Sequence, residues 1–597
     1  MREMLDVYRS VTAMLPPSAR RFLVWYAVAL SALAVLDAAS LSLLALVTAP
    51  IVTGSPARLP LVGEVEGIGL IIALGFACLL VIVKSVAAVW LLWSATRKMA
   101  NYDQGLSVRL FRAYLEAPWT LRLRRNSAHL VRTSEGSVSA TIGAFLLPGA
   151  SMLGEAATFV VVITVLFIAN PVLAVVTLVY LLGIGAIMFF WITRRAKLAG
   201  RVAHRYALRN ARLVTEMIAA FKEITLRGKV DEVAELIKDN RGHTARARSN
   251  ARFLGLVPRY ILDAGIIGGV ILAGGIGALT GGVTGAATAV ALFGLAGFRI
   301  APSIVRVQGG VATMLTNIPH AKTVVHEIMT TEAQRVEIIE RPSLELPEEP
   351  AELRFENVSF RYLEDAPDAI HDLSFTVPLG SSVAFVGSSG AGKSTIVDLA
   401  LGLIEPTAGR ITIDGTDLRD ATASWQARLG YVPQEVVLFD ATVAQNVALT
   451  WGADYDPERV RASLAKAQIL DLIEARDGGI EAPVGERGVS LSGGQRQRLG
   501  IARALYSSPL VLVMDEATSA LDTATEAAVI DSIRSLHGQV TTITVAHRLS
   551  TIRNADRIHY MEHGRLVAFG TFDELVAAVP AFAAQATLAG LIDPGKG

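Results

Sequence analysis

The sequence contains very little cysteine and comparatively little charge. Cys78 is the single cysteine among 597 residues, so no disulfide can form within one chain and no cysteine cluster can hold a metal. Charged residues make up 18% of the chain, and its 55 basic and 54 acidic residues give a formal net charge of +1. Because neither sign is in excess, the composition does not support nucleic acid as a partner.

Apolar residues are abundant instead. They make up 52% of the chain and give a mean hydropathy of +0.45, which indicates a membrane protein with more than one domain. Runs long enough to cross a bilayer, roughly 18 residues or more, occur only before about residue 316. Beyond that point short strand-like and helix-like runs alternate, as in a soluble α/β domain. The sequence predicts six membrane-spanning helices, at 22–48, 67–96, 141–169, 171–193, 255–280 and 286–315.

The connections between the spans predict their orientation. Segments 97–140 and 194–254 are long and rich in arginine and lysine, whereas the short turns "ANP" and "LTGGVTG" carry no charge. By the positive-inside bias, the long loops and both termini lie in the cytoplasm. A stretch rich in proline and acidic residues, "RPSLELPEEPAEL", then separates the two halves. We expect a membrane domain at 1–335, a linker at 336–350 and a soluble domain at 351–597.

The soluble half contains a glycine-rich loop in the stretch "SSVAFVGSSGAGKSTIVDLALGL". A strand-like run ends at Gly387 and an amphipathic helix opens at Lys393, which matches G-x-x-x-x-G-K-[ST] in its strand, loop and helix context. Glycines let backbone N–H groups converge on phosphate, the lysine adds a positive charge, and Ser394 can ligate magnesium. The predicted phosphate-binding residues are Gly387, Ser388, Ser389, Gly390, Ala391, Gly392, Lys393, Ser394 and Thr395.

Downstream, the apolar run in "LVLVMDEATSALD" ends at two acids, Asp515 and Glu516. At the tip of a buried strand beside a phosphate loop, the first acid is placed to hold magnesium and the second to polarise an attacking water. The alternative for an isolated Asp-Glu pair is a helix cap. Because a phosphate loop precedes the pair, we favour the catalytic interpretation.

A second glycine-rich motif, LSGGQ at 491–495, opens the helix-like run "RQRLGIARAL". Ser492, Gly493 and Gly494 at a helix N-terminus would present N–H groups and the positive end of the helix dipole to an anion. Since one chain already has a phosphate loop, we infer that this second anion site serves the nucleotide held by another copy of the chain.

In their order along the chain, "GSSGAGKST", "YVPQE", "LSGGQ", "VLVMDEATSALD" and "TVAHRLS" resemble the nucleotide-binding domain of an ATP-binding cassette transporter. Six spans followed by one cassette are similar to the half-transporter exporters of that superfamily, with an α-helical membrane domain before an α/β domain that contains a phosphate loop. The resemblance implies ATP and Mg²⁺ as cofactors and ATP hydrolysis coupled to transport. It also implies a bacterial inner-membrane protein with a cytoplasmic cassette. Complete motifs favour a symmetric homodimer whose cassettes sandwich two ATP molecules.

The same resemblance assigns roles to residues at matching positions. Tyr362 resembles the aromatic residue that stacks on adenine, Gln434 the loop glutamine that senses magnesium, and His547 the switch histidine on the γ-phosphate. Taken singly, these three could be a half-buried strand aromatic, a turn residue and a core histidine. The resemblance therefore predicts catalytic residues Glu516, His547 and Gln434, metal ligands Ser394, Gln434 and Asp515, and further nucleotide contacts at Tyr362, Ser492, Gly493, Gly494, Gln495 and Asp522.

The two long cytoplasmic segments carry a further expectation. The stretches "LEAPWTLRLRRNSAHL" and "AAFKEITLRGKVDE" lie near their middles, where the resemblance to exporters places short coupling helices. Closing the cassettes should then rock the membrane halves between inward and outward access.

Charged residues inside the apolar spans are candidates for cargo contacts, because such residues are costly in lipid. Arg299, Ser303 and Arg306 share one face of a helix, which we expect to line the cavity. Counting along the spans puts the basic residues between mid-membrane and the cytoplasmic side, and Asp37 and Glu155 nearer the centre or outer half. This predicts a basic inner cavity for an acidic head group, unless the arginines only snorkel to the interface. The predicted substrate contacts are Lys84, Arg259, Arg299 and Arg306.

Within the superfamily, "FRIAPSIVRV" and "RNSAHLVR" resemble flippases of lipid-linked oligosaccharides, whose cargo carries a polyprenyl pyrophosphate. This similarity predicts ATP-driven export or flipping of such a lipid-linked glycan. The alternatives are a lipid or multidrug exporter, and an ATP-gated channel or regulatory subunit. The complete catalytic motifs count against the channel and the regulatory subunit.

Overall fold

The structure is a computed structural model that describes residues 2–53, 56–59, 63–123, 127–339, 344–363, 365–517, 521–535, 537–546 and 548–592. The chain forms two compact units. The membrane unit comprises Met1–Ala117 and Arg124–Arg335, and the cassette unit comprises Pro118–Leu123 and Val336–Gly597. The short segment Pro118–Leu123 therefore belongs to the cassette unit, although our sequence-based division at 335 assigned it to the membrane domain.

The membrane unit is built from helices, six of which are long and apolar enough to cross a bilayer, so the predicted six-span architecture is confirmed. Its elements, with α4 placed in the cassette unit, are α1 (Arg2–Met14), α2 (Pro17–Thr53), β1 (Ala57–Leu59), β2 (Gly63–Val65), α3 (Ile68–Leu115), α4 (Trp119–Leu123), α5 (Ser127–Arg132), two π-helical stretches (Thr133–Ser137 and Ala140–Leu146), α6 (Leu147–Ala169), α7 (Pro171–Ala219), α8 (Phe221–Leu226) and α9 (Val230–Ile339).

The long helices extend well beyond the apolar spans. Helix α3 has 48 residues and α7 has 49, so each is roughly 70 Å long against a hydrocarbon core of about 30 Å. The segments that the sequence analysis treated as long cytoplasmic loops are therefore mostly helical. Their polar surfaces are compatible with water, and pairs one turn apart, such as Arg212 and Glu216 at 2.7 Å, support the helix. The short helices α4 and α8 lie where coupling helices were expected.

Helix α9 contains two spans joined at a glycine pair. Gly281 and Gly282 have non-helical backbone angles, and Gly282 has φ 63°, a conformation that favours glycine. The chain reverses within the uncharged "LTGGVTG" turn, so that Val230–Leu279 and Gly281–Ala333 form two candidate spans. Close packing there depends on small residues: a Cβ on Gly269 would lie 2.1 Å from the Phe293 ring.

The cassette unit contains two sheets. The six-stranded sheet has the order β12-β11-β5-β10-β9-β8 and is parallel except for β12 against β11, and the four-stranded sheet β4-β3-β6-β7 is antiparallel. The strands are β3 (Glu352–Phe360), β4 (Ile370–Pro378), β5 (Ser382–Gly387), β6 (Ala408–Ile413), β7 (Thr416–Asp417), β8 (Leu429–Val432), β9 (Val511–Asp515), β10 (Thr541–Val545), β11 (Arg557–Glu562) and β12 (Arg565–Gly570).

Helices cover the six-stranded sheet and form a second packed region beside it. They are α10 (Lys393–Ala400), α11 (Leu418–Gln426), α12 (Val443–Ala448), α13 (Pro457–Lys466), α14 (Leu470–Glu474), α15 (Gly493–Tyr506), α16 (Thr523–Arg534), α17 (Leu549–Ile552), α18 (Phe572–Ala578) and α19 (Pro580–Leu588). The central strands β9 and β10 are apolar and almost wholly buried, as expected for parallel strands covered on both faces. In such sheets ligands bind at the carboxyl ends of the strands, which is where β5 and β9 present their polar residues.

Candidate functional site

Two positions of the glycine-rich loop between β5 and α10 require glycine. Gly387 has φ 150°, and a Cβ there would lie 2.1 Å from the Met561 carbonyl oxygen. Gly392 has φ 96°, and a Cβ there would lie 2.7 Å from Ile370 Cδ1. The loop backbone therefore lies directly against neighbouring strands, and it leads into the N-terminus of α10, a favourable position for phosphate.

Lys393 spans the mouth of this loop. Its ammonium donates hydrogen bonds to the carbonyl oxygens of Gly387 and Ser388, both at 2.9 Å. Burial lowers the pKa of Lys393, while the nearby Glu516 and Asp515 carboxylates act in the opposite direction. The lysine thus stands between the loop and the acids, in a place where phosphate oxygens could replace the two carbonyls as acceptors. The residues present fit a polyphosphate.

Tyr362, the predicted adenine contact, lies beside the first turn of α10. Its hydroxyl is 3.1 Å from the hydroxyl of Thr395, and its ring meets Phe360 edge to face with centroids 4.9 Å apart. Burial raises the pKa of Tyr362. Ser394, the predicted magnesium ligand of this turn, is exposed, whereas Thr395 is buried. The structure therefore groups Tyr362, Lys393, Ser394 and Thr395 around one helix start.

The acid pair lies at the end of β9, in the middle of the parallel sheet. Glu516 has φ 51°, a left-handed conformation that is uncommon for a residue other than glycine and clusters at functional sites. Its backbone N–H donates to the Val545 carbonyl at 2.9 Å, which holds the turn in place. Its carboxylate accepts a hydrogen bond of 2.8 Å from the side-chain amide of Gln434. The predicted base and the predicted loop glutamine are thus in direct contact.

The donor set around Lys393 suits magnesium rather than a transition metal. Ser394, Asp515 and Gln434 offer a hydroxyl, a carboxylate and an amide oxygen, which are the hard ligands that Mg²⁺ prefers alongside phosphate. Among the residues that the structure describes, no group of three or more histidine, cysteine, aspartate and glutamate side chains could hold a metal.

LSGGQ forms the start of α15, as its composition predicts. Ser492 caps the helix by accepting a hydrogen bond from the Gln495 backbone, and the Gln495 side chain accepts one from the Ser492 backbone at 2.9 Å. Gly493 and Gly494 occupy the first turn, whose N–H groups have no partner within the helix. Gln495, predicted as a nucleotide contact, is here part of the cap. The predicted anion site therefore corresponds to the first turn of α15, at Ser492, Gly493 and Gly494.

Four further residues, which were not predicted from sequence, tie the site together: Gln497, Glu526, Arg548 and Thr551. The Gln497 amide donates to the Glu516 carbonyl at 3.3 Å and so links α15 to the strand end within one chain. Glu526 is buried and accepts bonds from Arg548 at 2.7 Å and Thr551 at 2.9 Å. An acid in the first turn of the helix that follows "SALD" is a sequence signal that could have drawn attention to Glu526.

The remaining predicted residues are placed as follows. Asp522 caps α16 by accepting from the Thr525 backbone at 3.0 Å. His547, the predicted switch histidine, lies outside the described residues.

In the membrane unit, the structure brings Lys84 and Arg299 together around one acid. Asp37 on α2 is buried and forms ion pairs with Lys84 on α3, at 2.8 Å, and with Arg299 on α9. These pairs join basic residues that we expected between mid-membrane and the cytoplasmic side to an acid that we expected nearer the centre or outer half. The physical reason is that an isolated charge among apolar helices is costly, whereas paired charges are tolerated.

Arg306 is paired as well, with a different acid. Its guanidinium is 2.5 Å from the Glu155 carboxylate of α6, which also accepts a 2.9 Å hydrogen bond from the Ser303 hydroxyl. Ser303 is buried. The face shared by Arg299, Ser303 and Arg306 therefore turns partly into the helix bundle, whereas we had expected it to line the cavity. The side chain of Arg306 nevertheless remains 54% exposed, against 29% for Arg299.

Arg259 stands apart from this cluster. Its side chain is 73% exposed and its nearest acid is Asp263, one turn along the same helix at 3.9 Å. Of the four predicted substrate contacts, the structure therefore gathers Lys84, Arg299 and Arg306 into one charge cluster with Asp37 and Glu155, and leaves Arg259 outside it.

Comparison with known proteins identifies the family. A family model described as ABC transporter matches residues 370–519. A protein named ATP-dependent lipid A-core flippase from Cupriavidus pinatubonensis (strain JMP 134 / LMG 1197) is 32% identical over 497 residues, which are 79% of this chain and 80% of that protein. The chain belongs to the ABC transporters. The cassette of this ABC transporter accordingly binds and hydrolyses ATP, and hydrolysis is coupled to transport.

Other relatives of this ABC transporter match over shorter stretches. A protein named Beta-(1-->2)glucan export ATP-binding/permease protein NdvA from Rhodopseudomonas palustris (strain ATCC BAA-98 / CGA009) is 47% identical over 232 residues, which are 39% of this chain and 38% of that protein. A solved structure described as a bacterial Atm1-family ABC exporter with ATP bound superposes with a TM-score of 0.79. It shares 23% identity, and the match covers 97% of this chain and 100% of that one, which confirms the exporter fold.

Proposed function

We propose that this ABC transporter is a homodimer of a bacterial inner membrane that uses ATP to flip a lipid-linked anionic glycan, most specifically a polyprenyl-pyrophosphate oligosaccharide. The observation that carries the cargo assignment is the exposure of the Arg306 guanidinium, which stays half-exposed although Glu155 is its partner. A cation exposed within a membrane span favours an anionic ligand, because hydrocarbon alone makes it costly.

Each ATP would lie between the phosphate loop of one copy and the LSGGQ motif of the other. Lys393 would exchange the carbonyls of Gly387 and Ser388 for phosphate oxygens, and the first-turn N–H groups of Gly493 and Gly494 would face the phosphates from the partner copy. Mg²⁺ bound by Ser394, Asp515 and Gln434 would neutralise charge on the phosphates. The α15 helix dipole adds attraction for the same anion.

Glu516 is the residue that takes the proton from the attacking water. The hydrogen bond from Gln434 fixes the orientation of its carboxylate, and the bond from its own backbone N–H to Val545 fixes the strained turn. Loss of the γ-phosphate removes the group that joins the two cassettes, so that ATP binding closes them and hydrolysis releases them.

The charge cluster supplies a place for the anionic part of the cargo. It contains three basic residues and two acids, Asp37 and Glu155, and so carries one net positive charge. Glu155 is the internal counterion of the most exposed cation, Arg306. A pyrophosphate could take its place, because guanidinium groups pair bidentately with phosphate oxygens.

The names of similar proteins agree with this class of cargo. One relative is named for flipping lipid A-core and another for exporting a glucan, and a lipid-linked glycan combines a lipid with a glycan. A hydrophobic cation is disfavoured, because the exposed side of the cluster is an arginine.

The experiment is ATPase stimulation in proteoliposomes by a panel of lipids. The panel contains a polyprenyl-pyrophosphate glycan, a neutral glycolipid with a similar glycan, and a hydrophobic cation. We expect only the pyrophosphate lipid to stimulate, and Arg306→Gln to remove the stimulation. Arg259→Gln is the matched control, since it removes an arginine of the spans outside the cluster. Stimulation by the cation or by the neutral glycolipid alone would overturn the cargo assignment.

A further inference from the structure

The exposed side of helix α3 carries an apolar stripe that ends in a cation. Five exposed residues, spaced alternately three and four apart, form this stripe: Val83, Val86, Trp90, Trp93 and Arg97. From Val83 to Trp93 the stripe is about 15 Å long, which is the depth of one leaflet of the hydrocarbon core. Because the predicted second span ends at residue 96, the charged end of the stripe is its cytoplasmic end.

Helix α2 packs beside this stripe. Phe22 of α2 shares a buried apolar core with Leu91 and Ala95 of α3. Outside that core, the Trp25 ring of α2 meets the Trp90 ring of α3 edge to face, with centroids 6.3 Å apart. Both tryptophan rings are exposed. They therefore form one aromatic surface that extends over the two helices.

Basic side chains lie at the cytoplasmic end of this aromatic surface. The Lys98 ammonium stands over the Phe22 ring, 4.3 Å from its centroid, and so connects α3 to α2. The Arg97 guanidinium stands over the Trp93 ring of its own helix, at 4.8 Å. Both basic residues are exposed, so their charged groups remain accessible to a ligand.

Arg21 adds a third cation at the same end. It lies one turn before Trp25, on the cytoplasmic side, because α2 runs outward from the cytoplasm. The stretches 17–36 and 67–102 contain no aspartate or glutamate, so the three cations have no counterion on the helix segments that carry them. We call this surface the α2/α3 face, and it consists of Arg21, Trp25, Trp90, Trp93, Arg97 and Lys98.

The order of groups on the α2/α3 face matches one class of ligand. An acyl chain can lie along an apolar stripe as long as one leaflet, tryptophan rings favour the membrane interface, and the cations can pair with a phosphate. A soluble anion would leave the apolar stripe uncovered. A zwitterionic phospholipid carries an amine of its own, which competes with the cations for the phosphate. We propose that the α2/α3 face binds an anionic phospholipid of the cytoplasmic leaflet.

Helix α7 provides an internal comparison. Trp191 is exposed, and the Arg195 guanidinium stands over its ring at 4.6 Å, as Arg97 does over Trp93. In the described part of the chain, however, no aromatic ring of a neighbouring helix meets Trp191. A general belt of tryptophan and basic residues would attract anionic lipid equally at both places, whereas a site that needs two helices would prefer the α2/α3 face.

The test measures quenching of tryptophan fluorescence by brominated lipids in vesicles. Trp191→Phe leaves Trp25, Trp90 and Trp93 as the tryptophans of the spans, so lipid quenching reports the α2/α3 face. Brominated phosphatidylglycerol and brominated phosphatidylcholine are the two probes. We expect phosphatidylglycerol to bind about tenfold more tightly. A basic residue near an anionic surface contributes about fivefold, so Lys98→Gln in this background should lower the preference by that factor and Lys98→Arg should retain it.

The converse protein carries Trp25→Phe, Trp90→Phe and Trp93→Phe together, which leaves Trp191 as the tryptophan of the spans. Its preference for phosphatidylglycerol should be at least about threefold smaller than that of the α2/α3 face. The proposed cargo takes no part in this experiment, so its failure would leave the proposed function standing. The proposal is overturned by an absent preference at the α2/α3 face, by equal preference at the two places, or by an unchanged preference in Lys98→Gln.

Discussion

The side-chain amide of Gln434 donates a hydrogen bond to the Glu516 carboxylate, with 2.8 Å between Nε2 and Oε2. Gln434 follows β8 and Glu516 follows β9, and these strands are parallel neighbours, so their ends meet at one edge of the sheet. The bond joins the loop expected to sense magnesium to the residue expected to activate water. A substitution at either residue should therefore alter the position of the other side chain.

Replacing Glu516 with glutamine should separate ATP binding from hydrolysis. Glutamine keeps the size of the side chain and an acceptor for Gln434, but it cannot take a proton from water. Because general-base catalysis contributes about 10²–10⁴-fold, turnover should fall by that factor. ATP binding should be retained and cassette dimers should accumulate. Wild-type turnover by Glu516→Gln, measured as phosphate release, would remove Glu516 from the role of base.

The position of LSGGQ predicts how defective copies complement each other. Lys393→Ala damages one phosphate loop, and Ser492→Arg places a bulky cation at the start of α15. A mixed dimer of these two chains should retain one intact composite site of the two, because both lesions fall on the same site. Trapped nucleotide per mixed dimer is the measurement. If purified mixed dimers trap none, the two motifs do not meet across the dimer.

The charge cluster predicts different outcomes for its two acids. Glu155→Gln should lower the concentration of pyrophosphate lipid needed for half-maximal ATPase stimulation several-fold, because it removes the internal competitor for Arg306. Asp37→Asn should instead lower stability, by about 3–5 kcal/mol, because it leaves Lys84 and Arg299 without their shared buried partner. Thermal unfolding distinguishes the two effects. Weaker stimulation in a stable Glu155→Gln variant would show that Glu155 assists the cargo and does not compete with it.

His559 predicts a pH dependence of cassette stability. It is buried in β11, its ring stacks on Phe385 at 5.1 Å between centroids, and neither ring nitrogen is bonded to a residue that the structure describes. Burial lowers its pKa to about 4. In the unfolded chain the His559 ring takes up a proton below a pH of about 6.5, whereas in the folded chain the ring stays neutral until the pH approaches 4. Stability is thus highest above pH 6.5 and declines as the pH falls towards 4.

Between pH 7 and pH 5 this loss should amount to about 2 kcal/mol. His559→Phe should remove it, because the ring remains but the titrating group is gone. The measurement is the melting temperature of the cassette transition in the full-length protein at both pH values. An equal drop in wild type and variant would assign the pH dependence to other groups.

Local motifs explain why much of the cassette could be predicted from the sequence. The run from Gly387 to Lys393 fixes a strand end, a loop and a helix start by itself, because its glycines meet local steric demands. The six apolar spans were also predictable, since hydropathy is a property of each segment alone. The length of α3 and α7 was missed, because polar helices outside the membrane have no apolar run to mark them.

Pairings between distant segments could not be predicted. Asp37 meets Arg299 and Glu155 meets Arg306 across helices far apart in the chain, and hydropathy contains no information on helix order. The left-handed conformation of Glu516 could not be predicted from the sequence either, because sheet contacts impose it on a residue type that does not favour it. The predicted basic cavity treated each charge as isolated, so it did not anticipate these pairings.

The measurement that tests the account most directly is flipping of a fluorescent polyprenyl-pyrophosphate glycan in proteoliposomes, followed by protection of the lipid from a membrane-impermeant quencher. Three proteins are compared: wild type, Glu516→Gln and Arg306→Gln. The account predicts ATP-dependent flipping by the wild type only, with Arg306→Gln retaining basal ATPase activity. Equal flipping by all three proteins, or flipping by the wild type without ATP, would contradict it.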